Sequence, residues 1–116
     1  MMSLKTPFAL ALAAACVLAV PAFAAPARVT DGDLLHASRC LGLAKAKGLG
    51  TVDAAALTAF VKTQRQGRDP VIRERSDAAE ETARREGSSA KDARKAALVA
   101  ERDGSCNTLI DNPTGA

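Results

Sequence analysis

TDGDLLHASRCLGLAKAKGLG, residues 30–50, is the stretch on which the reading of the fold turns. Leu34, Ala37, Leu41 and Ala44 recur at three- and four-residue intervals, the period of one face of an α-helix. Cys40 lies beside that stripe. Thr30 or Asp31 can cap the helix start, because a short side-chain oxygen there accepts from amides that have no intrahelical partner. Lys45 and Lys47 fall in the last turn, where the helix dipole favours cations. Gly48 and Gly50 then stop the helix.

Working outward, the same grammar repeats. Thr51 can cap a second helix with Asp53 in its first turn, and Ala54, Leu57, Phe60 and Val61 form its apolar stripe. Lys62 and Arg65 lie near its C-terminal end, and Gly67 closes it. Asp69-Pro70 opens a third helix: the carboxylate accepts orphan amide protons, and proline needs no donor at the first helical position. Glu80–Arg84 and Glu81–Arg85 are expected as i,i+4 pairs, and Gly87 as the helix end. Ser89 and Asp92 fit a capping box for a fourth helix, whose Ala93, Ala96, Ala97 and Ala100 make a small-residue face. Val99, Cys106 and Ile110 keep helical spacing across Gly104, which predicts a helix running to about Asp111, with Gly104 as the place where it would break. No segment shows the period-two alternation of a strand. The fold class is therefore all-α: a small four-helix bundle, its last helix a candidate for breakage, over residues 31–112. Tails at 25–30 and 113–116 flank it, and Pro113 ends the structure.

The weak point is the middle. The 25 residues from Arg73 to Ala97 contain no Leu, Ile, Val, Phe or Met. Helices three and four must pack there through Ala and Ser or not pack firmly, since burying a methyl gains far less than burying a leucine. The expectation is a solvated, charged hairpin around Gly87, projecting from a core of Leu34, Leu41, Leu57, Phe60, Val61, Ile72, Val99, Leu109 and Ile110.

The N-terminus reads as a targeting segment. Lys5 precedes the apolar run Phe8–Val20, FALALAAACVLAV, and Pro21 and Ala22-Phe23-Ala24 follow. A short positive region, an apolar core and an A-x-A site make a secretory signal peptide over residues 1–24. Pro21 and the small residues at the end argue against an uncleaved anchor. Cys16 follows three alanines, but a lipoprotein box would have Leu where Ala13 stands, and apolar residues continue past it. The expected location is periplasmic or secreted, with no stable membrane anchor once the signal peptide is gone.

Removal of that segment leaves two cysteines, Cys40 and Cys106. An even count in an exported chain predicts a disulfide, and only one intrachain pairing exists. The remaining 92 residues hold only 16 large aliphatic, Phe or Met side chains, with Phe60 the single aromatic. Such a chain has no material for a large apolar pocket or an aromatic stacking platform.

The chemical inventory is correspondingly spare. His36 lies one turn before Cys40, with Asp31 and Asp33 nearby. The cysteines are expected to be committed to each other and the aspartates to the helix start, so no metal site is assigned. Ser38 stands two residues from His36, the wrong spacing for a shared helix face, and no strand-turn-helix elbow presents a nucleophile. No C-x-x-C redox pair or C-x-x-C-H haem site occurs. No catalytic residue and no cofactor is assigned, and the chain is expected not to be an enzyme. Lys62, Arg65, Arg68, Arg73 and Arg75 form a basic cluster around the second turn, opposed in sequence only by Asp69 and Glu74. That cluster is the candidate interaction surface, although the net charge without Lys5 is only +2 and no aromatic interleaves it. Export removes nucleic acid as a ligand.

The expected function is a non-catalytic interaction module whose partner is another envelope protein or a second copy of the chain. In size and outline the chain is similar to acid-stress periplasmic chaperones and periplasmic immunity proteins, with no motif of either. The alternative is an envelope stress or chaperone-like factor, or a binder of anionic surfaces acting through residues 62–75.

Overall fold

The computed structural model describes residues 29–111. The expected signal peptide, Cys16 and the C-terminal tail from residue 112 lie outside that range. Five α-helices follow one another: α1 (Asp31–Lys45), α2 (Ala55–Arg65), α3 (Pro70–Ser89), α4 (Asp92–Asp103) and α5 (Ser105–Asp111). A 3₁₀ turn, Lys47–Leu49, extends α1, and the described residues contain no strand. The all-α class stands, with α4 and α5 as the two pieces of the last helix.

Thr30 is the cap of α1. Its hydroxyl accepts from the Asp33 amide at 3.0 Å, and the Asp33 carboxylate accepts from the Thr30 amide at 2.9 Å. This reciprocal box also holds the Asp33 carboxyl below its ordinary value. α1 is the axis of the molecule. Leu34, Ala37, Cys40, Leu41 and Ala44 face one apolar cluster with Leu57 and Val61 of α2 and Cys106 and Leu109 of α5. Leu43, with Ala46 and Leu49 just beyond the helix, faces a second cluster with Ala83 of α3 and Leu98 of α4. A helix buried on two sides shows only a weak one-faced pattern, which is why Leu43, Leu49 and Leu98 fall outside the expected core. Phe60, Ile72, Val99 and Ile110 pack at its margin, half-buried.

The charged middle of the sequence is not a loose hairpin. α3 runs straight through Gly87 to Ser89, and Gly87 is buried. α3 lies alongside α1 in the same direction, Ser76 against Ser38, Ala83 against Gly42, and Gly87 against Ala46 and Leu49. A Cβ on Gly42 would stand 2.1 Å from the Glu80 carbonyl oxygen and 2.8 Å from the Ala83 Cβ. One on Gly87 would stand 2.6 Å from the Ala46 Cβ. The two helices therefore meet nearly backbone to backbone. Small residues make that approach feasible, and close approach recovers in dispersion contacts what missing leucines do not supply. At the head of the seam the Ser38 hydroxyl donates to the Leu34 carbonyl (2.8 Å) and shares a 2.6 Å hydrogen bond with the Ser76 hydroxyl. Both serines are fully buried and satisfied.

Several local expectations are corrected. α2 begins at Ala55, not after Thr51; Asp53 accepts from the Ala55 amide at 2.9 Å, while Gly50, at φ +90°, turns the chain out of the 3₁₀ turn. Asp69 and Pro70 open α3 as predicted, the carboxylate accepting from the Val71 amide at 2.8 Å. Ser89 does not cap α4: its hydroxyl donates back to the Arg85 carbonyl at 3.0 Å, because α3 still includes it. Lys91 precedes α4 instead, without a side-chain cap. Glu80 pairs with Lys45 at 2.5 Å rather than with Arg84, which joins Arg85 on Glu81. The last helix breaks at Gly104, whose ψ of −94° leaves the helical region and separates α4 from α5. At that backbone a Cβ would meet the Ala100 carbonyl oxygen at 2.8 Å, so glycine is required there.

Cys106 of α5 is bonded to Cys40 of α1, with Cα atoms 5.6 Å apart and a sequence separation of 66. Chain-entropy arguments give such a link about 4 kcal/mol, roughly 15–30 °C in melting temperature for a domain of this size. Thermal unfolding followed by circular dichroism should drop by that order in dithiothreitol. An unchanged melt, with reduction confirmed by mass, would show that helix packing alone suffices.

Candidate functional site

The five cations expected to act together separate into two groups. Arg65 grips Asp77 of α3 through both guanidinium nitrogens, at 2.5 and 3.1 Å. Arg68 is a brace: it donates to Asp31 (2.7 Å), to the Val29 carbonyl (2.6 Å) and to the Gln64 carbonyl (2.9 Å). It thereby ties the turn after α2 to the start of α1. Neither Asp31 nor Asp77 lies near these arginines in sequence, so the balance of charge there could not be read from neighbours. Lys62, Arg73 and Arg75 are exposed, and among the described residues none forms an ion pair. They are what remains of the basic candidate surface.

Lys62 also borders a shallow groove of about 240 Å³ between α1, α2 and α3, floored by Leu41 and Val61 and rimmed by Lys45, Thr58, Arg65 and Glu80. Two of its three cations are already neutralised, Lys45 by Glu80 and Arg65 by Asp77.

A second charged group lies on the opposite flank. Arg39 of α1 donates to both carboxylate oxygens of Glu101 on α4, at 2.7 and 3.0 Å, and to Glu86 of α3 at 3.2 Å. Arg94 of α4 pairs with Glu86 as well. The hydrogen bonds from Arg39 hold the Glu101 carboxyl below its ordinary value, and those to Glu101 raise Arg39. Four charges from three helices thus lock α4 to the α1–α3 pair. Arg102 has a related role: its buried guanidinium donates to the Leu49 carbonyl at 2.7 Å, closing the exposed end of the 3₁₀ turn. Sequence periodicity singles out none of these residues. The available signal is that Arg39 stands four residues before Leu43 and Arg102 four after Leu98, each sharing a helix face with a leucine, where a long cation needs a partner.

The small-residue faces also divide. Ala83 of α3 is consumed inside the molecule against α1, while Ala93, Ala96, Ala97 and Ala100 of α4 all face outward, exposed. Leu98 and Arg102 form the buried side of α4 in their place. Ser38, turned inward onto Ser76, does not meet His36. His36, Cys40 and Cys106 do come together, with their ligand atoms within 4.8 Å of one another and both sulfurs in the disulfide. Among the described residues no helix is long and apolar enough to cross a membrane. Compared with protein-family models, curated proteins and solved structures, the chain matches none.

The division of the arginines is testable by stability. Arg68→Ala should cost about 1–3 kcal/mol, the scale of lost charge-assisted hydrogen bonds. Arg73→Ala and Arg75→Ala should leave urea unfolding within about 0.5 kcal/mol of the parent. Equal losses at all three positions would contradict the division.

Proposed function

We propose that this chain is a small exported, non-catalytic interaction module that docks a helix of another envelope protein against the outer face of α4. The observation that carries the reading is the exposure of Ala93, Ala96, Ala97 and Ala100 at helical spacing on an element locked in place from behind. Within the molecule α1 and α3 meet through glycine, alanine and serine, which supports small residues as helix-contact positions in this chain. Lys91 and Lys95, both exposed on the same helix end, add charge that would orient an acidic partner segment. The disulfide supports an oxidising compartment, and the signal-peptide reading of residues 1–24 supports export. A thin core that spends its apolar residues internally leaves outer surface as the place where a partner would add burial.

The alternative, an anionic-surface binder, rests on the exposed cations Lys62, Arg73 and Arg75, fewer than the sequence suggested. A photo-reactive residue placed at Ala96 or at Lys62, with cross-linking in native envelope, separates the two. The proposal expects one dominant protein adduct from Ala96, salt-resistant and abolished by Ala97→Glu. Adducts to anionic lipid or polymer from Lys62 alone would favour the alternative, and absence of any competed adduct from Ala96 would refute the α4 reading.

A further inference from the structure

Among the described residues, soft ligand atoms converge at the junction of α1 and α5. His36 and Cys40 stand one helical turn apart on α1, and Cys106 projects from α5. A ring nitrogen of His36 and the two sulfurs all lie within 4.8 Å of one another. Both cysteines are buried, whereas His36 reaches solvent. Bonded to each other, the sulfurs offer no thiolate. Reduced, they offer two, on either side of a space that an imidazole already borders.

We propose that the reduced form of this chain binds one Zn²⁺ ion through His36, Cys40 and Cys106, and that the ion then takes over the disulfide's task of tying α1 to α5. Two thiolates and an imidazole suit zinc, while magnesium and calcium demand oxygen ligands. Zinc–sulfur and zinc–nitrogen bonds of about 2.3 and 2.0–2.1 Å put tetrahedral ligand atoms roughly 3.5–3.8 Å apart. The sulfurs must part from 2.06 Å and the imidazole must draw in, both by rotation about side-chain bonds. Three protein ligands leave a fourth position for water on the side where His36 meets solvent.

The redox step balances simply. A dithiol reductant gives two electrons and two protons to the Cys40–Cys106 bond and itself becomes a disulfide. The two thiols so formed lose their protons as Zn²⁺ binds. Thiol–disulfide exchange with a small-molecule disulfide then takes the electron pair back: the Cys40–Cys106 bond re-forms, the small-molecule disulfide leaves as two thiolates, and the ion is expelled. Because thiolate bonds to one metal close the same 66-residue span as the disulfide, the chain would keep its staple in both redox states.

The test uses the full chain carrying Cys16→Ser, so that Cys40 and Cys106 are its only thiols. It is reduced with a phosphine, freed of reductant without oxygen, and titrated with Zn²⁺ by calorimetry. Co²⁺ serves as the spectroscopic stand-in. The proposal expects one Zn²⁺ per reduced chain and none on the disulfide form. It further expects thiolate-to-cobalt charge-transfer absorption and a metal-dependent rise in the melting temperature of the reduced form only. His36→Ala should weaken Zn²⁺ binding by at least the roughly 10–100-fold that loss of a mere supporting residue costs a metal site. The same variant should leave the melt of the disulfide form unchanged. A reduced chain that stays helical yet takes up no Zn²⁺, one that unfolds and is not refolded by Zn²⁺, or an affinity unmoved by His36→Ala would each overturn the proposal.

Discussion

α1 and α3 lie so close that no room remains between them for a single methyl group at Gly42. The rest of the molecule is arranged around that contact. With the two helices in near-backbone contact, α1 is covered on one flank with only Ile72 as a large apolar side chain from α3. Its leucines are then free to face α2 and α5 on one side and α4 on the other. Inside the seam two buried hydroxyls, Ser38 and Ser76, satisfy each other, and the ion pairs Lys45–Glu80 and Arg39–Glu86 bridge α1 and α3 at its edges. Glycine and serine are poor helix formers in isolation, so their presence here costs propensity that the packing must return.

The remaining forces fix what lies outside the seam. The disulfide holds the short α5, which has too few residues to stand alone. The Arg39–Glu101–Glu86–Arg94 group locks α4, and Arg68 joins the start of α1 to the turn before α3. Much of the surface charge is thereby structural. Among the described residues, what is left outside these contacts includes the exposed cations Lys62 of α2 and Arg73 and Arg75 of α3, and a strip of alanines along α4 with Lys91 and Lys95 at its start.

How much of this was legible in the sequence follows from the range of each interaction. The helix starts at Thr30 and Asp69, the all-α class and the Cys40–Cys106 link depend on local chemistry or on elimination, and each could be read. The end of α3 could not, because Gly87 resembles a stop signal in one dimension and is a contact point in three. An isolated glycine inside a helical pattern was the available hint, at Gly42 as well as Gly87. The basic cluster was overestimated for a similar reason: Asp31 and Asp77, distant in sequence, neutralise Arg68 and Arg65. The outward face of α4 was identified as alanine-rich, but whether it was core or surface depended on where Leu98 pointed.

The central claim is that the α1–α3 seam, not the apolar clusters alone, carries the fold. Urea unfolding of Gly42→Ala beside Gly32→Ala tests it most directly. Both positions lie in α1, yet a Cβ at Gly32 meets only the Thr30 hydroxyl, at 3.6 Å. The account predicts that Gly32→Ala is neutral or gains up to about 1 kcal/mol from helix propensity. Gly42→Ala should instead lose about 1–3 kcal/mol or more as the backbones are forced apart. Two variants of equal stability would contradict it.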